Sequence, residues 1–155
     1  MTIQNAFRVA TLAAFLPVAA GVSADAPSWL HEAIRKENPE ELGYRVFVEL
    51  DCPIGRRDVE RIVDATMARN ELTRSQFAFV ETHLQVALSC FLQEDEPPIF
   101  SQEVHFSPPR DTERPDLVYD WNFGRYGVGG RTFILESVTR SIEDAIAEYV
   151  LANFS

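Results

Sequence analysis

In RTFILESVTRSIEDAIAEYVLANF, residues 131–154, the side chains of Ile134, Val138, Ile142, Ala145, Ile146 and Tyr149 recur at helical steps, with Phe154 near the end. They form one apolar stripe on a long C-terminal helix. Burying about eight apolar side chains of this helix offers roughly 12–24 kcal/mol gross, most of it offset by ordering entropy. The rest of the chain must therefore present an apolar surface to receive it. Thr132 and Glu136 stand one residue too far apart for a capping box, so the pattern leaves the helix start open.

The receiving surface is legible as alternation of period two. In YRVFVELDC, Val46, Val48, Leu50 and Cys52 fall on one side, against Arg45, Phe47, Glu49 and Asp51. From Thr82 the pattern returns: Leu84, Val86, Leu88, Cys90 and Leu92 face one way, and His83, Gln85, Ala87, Ser89 and Phe91 the other. QEDEPP reads as a turn, and IFSQEVHFS follows with Phe100, Val104 and Phe106 inward. PPRDTERPD, rich in proline and charge, cannot continue a sheet. LVYDWNFG then places Leu117, Tyr119, Trp121 and Phe123 on one face of a last strand.

Between the first two strands the period changes. Val59, Ile62, Val63, Thr66 and Met67 make a helical stripe, Gly55 suits its N-cap with Asp58 in the first turn, and Asn70 suits its end. A short helix is expected in front, from Trp29, Leu30, Ala33 and Ile34, with Pro39 stopping it. ELTRSQFAFVE fits a loop, a helical turn or a short strand equally well. The sequence contains no internal repeat and no low-complexity tract.

The order is β-α-β-β-β-α behind a short N-terminal helix. A sheet with one apolar face and two amphipathic helices solve each other's exposure, which predicts an α/β fold of the α+β two-layer kind: a four-stranded mixed sheet with two main helices on one face. If the first two strands are parallel neighbours, the helix between them makes a right-handed crossover. Parallel pairing also brings Cys52 and Cys90, the only two cysteines, to the same end of the sheet. A disulfide between them is expected, with about 4 kcal/mol from chain entropy. The spacing does not suit a redox motif.

Residues 1–24 read as a secretory signal peptide: Arg8, the apolar run VATLAAFLPVAAG, and VSA ahead of a cut after Ala24. The run is short of the roughly 20 residues that span a bilayer, and Pro17 interrupts it, so no membrane insertion is expected after cleavage. Residues 25–155 are then one exported domain, periplasmic or secreted, in an oxidising compartment. With 24 acidic against 14 basic residues, the net charge of −10 disfavours nucleic acid and anionic membrane surfaces.

Two groups of residues bear on chemistry. The first is FGRYGVGGRT, where Gly124, Gly127, Gly129 and Gly130 lead into a helix and Arg125 and Arg131 flank them. Backbone N–H groups at a helix start favour an anion. No P-loop or Gly-x-Gly-x-x-Gly pattern is present, and glycines that allow a turn with positive φ explain the stretch as simply. A third reading makes it a protein-binding tip with Tyr126 and Trp121 as anchors. The second group is Glu49, His83, Glu103, His105 and Asp120, on the outward sheet face, where a solvated polar surface is expected rather than a metal or acid–base site. His31 stands apart on the first helix. Ser137 and Ser141 read as helix-packing residues, not nucleophiles.

No hydrolase elbow or zinc-binding helix motif is present, so no catalytic residue, metal or cofactor is assigned. In layout, two helices on a sheet in this order is similar to small envelope proteins such as the accessory lipoproteins of outer-membrane export machines, though no cysteine near Ala24 offers their lipid attachment. The expected function is a non-enzymatic interaction module whose partner is another envelope or secreted protein. The alternatives are an anionic-ligand binder using the 124–131 loop, and a metal-dependent or acid–base hydrolase.

Overall fold

The computed structural model describes residues 26–77, 80–109 and 121–155. The expected signal peptide, the loop from Arg110 to Asp116, and Leu117, Tyr119 and Asp120 lie outside them. The elements are α1 (Ser28–Ile34), β1 (Glu41–Val48), α2 (Arg56–Arg69), β2 (Thr73–Arg74), β3 (His83–Gln93), β4 (Glu96–Ser107), β5 (Tyr126–Val128) and α3 (Arg131–Phe154). They form a mixed α/β fold with a five-stranded sheet in the order β2-β1-β3-β4-β5.

The parallel pairing of the two central strands is present: β1 runs beside β3 from Gly43↔His83 to Val48↔Leu88, with α2 as the crossover. Cys52 and Cys90 are bonded, their Cα atoms 5.1 Å apart. The alternation also holds where it matters most. Tyr44, Val46, Leu84, Val86, Leu88, Phe100, Val104 and Phe106 are buried on one face, with Ile134, Val138, Ile142, Ala145, Ile146 and Tyr149 of α3 among the residues packed against them. Helix α2 is bounded as its sequence requires, with Gly55 N–H donating to the Asp58 carboxylate at 3.0 Å, and Val59, Val63, Thr66 and Met67 buried.

The sheet corrects the four-strand expectation. The fifth strand is β2, two residues of the ambiguous stretch, which pair parallel to Glu41 and Leu42 of β1. Its side chains are both exposed, so no apolar periodicity marks it.

The inward rows are also shorter than expected. β1 ends at Val48, and Leu50 lies wholly exposed in the turn that follows; Leu92 and Phe154 are exposed as well. Pro97 and Pro98 belong to β4, and the β3–β4 turn is only Glu94 and Asp95, with Asp95 at φ 60°. Pro98 is tolerated because it faces the end of β5, where only its carbonyl is used, accepting from Gly129 N–H at 3.1 Å.

The last strand is displaced from its expected place: β5 is Tyr126–Val128 of the glycine segment, and of LVYDWNFG the described residues keep only an isolated bridge at Asn122. One antiparallel register runs from His105↔Asn122 to Ile99↔Val128, so FGRYGV lies along β4. Asn122 Oδ1 interrupts the ladder by accepting from Val104 N–H (2.9 Å) and Gly124 N–H (2.8 Å). Trp121 and Phe123 pack against the core as expected. Among the described glycines none has positive φ. The requirement is close approach instead: a Cβ on Gly124 would lie 2.0 Å from Gln102 O, and one on Gly129 2.4 Å from the Phe133 ring.

Candidate functional site

All three helices pack toward one side of the sheet, which leaves the odd-numbered side chains of β3 and β4 on the other. The register there sets Phe91 beside Ile99 and Ile99 beside Val128; one step along, Ser89, Ser101 and Tyr126 line up. Phe91 is 68% exposed, Ile99 43%, Val128 56% and Tyr126 88%. Four apolar side chains on three neighbouring strands thus meet solvent together. Because β5 is an edge strand and Gly127 directs its backbone toward β4, the backbone groups of Tyr126 and Val128 point to the open edge.

Phe91 was already on the outward side by alternation. Ile99 and Val128 were not singled out, because the register that aligns them with Phe91 depends on where β5 joins the sheet.

The expected polar row occupies the other end of this face. His83 is buried, 4% exposed, and its Nδ1–H donates to Glu81 O at 3.0 Å, leaving Nε2 as an unpartnered lone pair. Burial holds the imidazole below the ordinary histidine range; the Glu81 carbonyl opposes this, and the charges of Arg45, His105 and Lys36 reinforce it. His105, half-buried and one register step diagonal from His83, is lowered by burial and partly restored by Glu103. Glu49 lies apart, its carboxylate accepting from Cys90 N–H at 3.2 Å beside the disulfide. Among the described residues no group of three or more His, Cys, Asp or Glu is placed to hold a metal ion.

The arginines of the glycine segment are engaged within the chain. Arg125 points to the helix side and meets Asp144 of α3 at 2.9 Å. Arg131 donates to Pro53 O at 2.7 Å and to Asp58 at 3.2 Å. The Asp58 carboxyl is held below the usual range first by the Gly55 N–H; desolvation opposes this, and Arg131 and Arg61 add to the lowering. Gly130 is the N-cap of α3, and its carbonyl accepts from Ile134 N–H.

A third feature lies at the opposite edge of the sheet. A cavity of about 670 Å³ is lined by Tyr44–Phe47 of β1, Arg56 of α2, and Arg74, Ser75 and Gln76 at the end of β2. It has three arginines and no carboxylate in its lining. Nothing in the spacing of these residues reveals it, since a two-residue strand decides where the edge opens.

No family model matches the chain, and no curated protein matches it. Among solved structures, a minor lipoprotein from Acinetobacter baumannii is similar at 10% identity and a TM-score of 0.30, over 73% of this chain and 92% of that one.

Proposed function

We propose that this chain is a non-enzymatic, exported interaction module that docks a partner protein of the cell envelope or extracellular space on the uncovered end of its sheet. The observation that carries this reading is the aligned row Phe91–Ile99–Val128 with Tyr126 beside it, apolar and exposed on three adjacent strands. Patches of this kind, rimmed by polar groups, mark surfaces that another protein covers. Tyrosine is a favoured anchor there because it combines apolar area with a hydroxyl donor. Export is supported by the leader-like residues 1–24 and by the Cys52–Cys90 disulfide, which persists in oxidising compartments.

A photo-crosslinking residue placed at position 126, and separately at exposed Ala65 on α2, tests the surface in the exported compartment. A discrete adduct from position 126 and none from position 65 is expected, with the adduct suppressed by Ile99→Asp. Identical products from both positions would show that this face is not the docking surface.

A further inference from the structure

On the far side of the sheet, β2 stops before β1 does. Thr73 N–H donates to Glu40 O at 2.8 Å and Ser75 N–H to Leu42 O at 3.3 Å, so the even-numbered residues of β1 direct their backbone groups toward that edge. The odd-numbered ones serve β3, as Glu49 N–H to Leu88 O at 3.0 Å shows just past the strand end. On this edge, opposite β3, the described residues place no strand beside β1 from Tyr44 to Val48. The backbone groups of Tyr44 and Val46 therefore open into the 670 Å³ cavity. A five-residue edge is about 16 Å long, enough for one short extended peptide.

The charged side chains that line this opening are all basic. The chain carries −10, yet arginines flank the open edge on both sides of the sheet. Arg74 lies over the Tyr44 ring on the helix side, 4.2 Å from its centroid, and has no carboxylate partner among the described residues. Arg56 reaches in from the start of α2, with Glu60 on its Nε at 2.8 Å. Arg45 projects on the other side, over Phe47 at 4.8 Å. The Tyr44 hydroxyl, donating to Asp64 at 2.7 Å, fixes the ring on which Arg74 rests. A strand laid along β1 would alternate its side chains between the Arg74 side and the Arg45 side, with Arg56 at the end of the opening.

We infer that the β1 edge between Tyr44 and Val48 is a strand-addition site for an extended acidic peptide of a partner protein, whose backbone pairs with Tyr44 and Val46 and whose carboxylates meet Arg74 and Arg56. Main-chain pairing supplies the binding and the arginines supply the selection, because a guanidinium forks onto a carboxylate with two parallel hydrogen bonds. The site is on the opposite edge from Tyr126, so it stands or falls separately from the docking face proposed above.

The full exported chain, titrated with a blocked seven-residue peptide of alternating glutamate and threonine, tests this by fluorescence anisotropy. Three comparison peptides are needed: a lysine-for-glutamate twin, a version N-methylated at alternate residues, and free glutamate as competitor. The acidic peptide is expected to bind in the micromolar-to-millimolar range of about 1 µM to 1 mM, and the lysine and N-methylated versions are expected to fail. Amide exchange at Tyr44 and Val46 should slow on binding. Arg74→Glu should weaken binding about tenfold or more, Arg74→Gln less, and Tyr126→Asp not at all, with unfolding midpoints recorded for each.

Equal binding of the N-methylated peptide, or full competition by free glutamate, would make this a plain anion site and overturn strand addition. Absence of binding, or indifference to Arg74→Glu, overturns the proposal outright. Self-association through this edge, lost in Arg74→Glu, would replace the peptide with a second copy of the chain.

Discussion

Gln102 Nε2 donates to Ser141 Oγ at 2.7 Å in the middle of the apolar layer, joining β4 to α3. The same amide nitrogen lies 3.1 Å from Ser137 O, while Gln102 Oε1 is buried without a partner. This link fixes the register between the strand and the helix at the cost of one unsatisfied acceptor. Ser141→Ala should therefore cost about 1 kcal/mol in urea unfolding, since Ser137 still receives the amide. Gln102→Leu combined with Ser141→Ala should be close to neutral or slightly stabilising, because it removes the stranded oxygen along with its partner. A loss above about 3 kcal/mol in the double variant would show that the polar link is essential to the core.

The Cys52–Cys90 bond closes 38 residues of sequence separation. On the chain-entropy model it contributes about 4 kcal/mol, so Cys52→Ala with Cys90→Ala should lower stability by roughly 2–5 kcal/mol. Urea unfolding of the double variant against the oxidised protein measures it; a change below about 1 kcal/mol would mean that the unfolded chain gains little freedom from the cut.

Stability should fall on mild acidification. The buried imidazole of His83, and His105 beside it, have folded pKa values below the ordinary histidine value. The unfolded chain therefore takes up these protons first as pH drops below about 6.5, and folding loses ground from there downward. Urea midpoints between about pH 7.5 and pH 5.5 should decline, and His83→Gln should flatten the decline while keeping a donor for Glu81 O. An unchanged slope in His83→Gln would mean that other groups carry the effect.

The glycines should separate by position. Gly124→Ala places a methyl against the Gln102 carbonyl and should cost about 2–4 kcal/mol. In Gly129→Ala the obstacle is the Phe133 side chain, half exposed and able to turn, so a cost of about 1 kcal/mol is expected. Around Gly55 and Gly130 nothing lies within 4 Å, and alanine there should cost only about 0.5–1 kcal/mol, the N-cap preference for glycine over alanine. Thermal melts of the four variants give the ranking, and equal effects at Gly124 and Gly130 would remove the close-approach explanation.

The parts of the fold that were readable from sequence are those whose burial is one-sided and long. Val59, Val63 and Met67 on α2, Ile134 to Tyr149 on α3, and Leu84 to Cys90 on β3 each repeat often enough for the period to identify the element. Parallel pairing of β1 with β3 entered as a condition that the structure meets, and the disulfide was expected because the two cysteines share an inward face in a chain read as exported. β2 escaped because two exposed residues have no period, and its end sets the open edge at Tyr44. Leu50 misled because alternation continues past the point where the backbone turns. In the glycine segment the residue types suggested a loop, whereas a register inherited from β4 keeps it extended; only that register shows Val128 beside Ile99. Of the two expected site groups, the tyrosine of the glycine segment reappears on the exposed row, and His83 proves to be interior.

Helix α1 is clasped to the end of α3: His31 meets Glu148 at 2.7 Å, Arg35 donates to Ala152 O at 3.1 Å, and Lys36 N–H donates to Asn153 at 2.9 Å. The earliest described element is thus completed by residues translated more than a hundred positions later, and the sheet's apolar face waits for the same helix. A nascent chain of this design has no self-sufficient half. A chain stopped short of α3 leaves the sheet's apolar face bare and α1 without its clasp, so it becomes a solid body only when those residues join it.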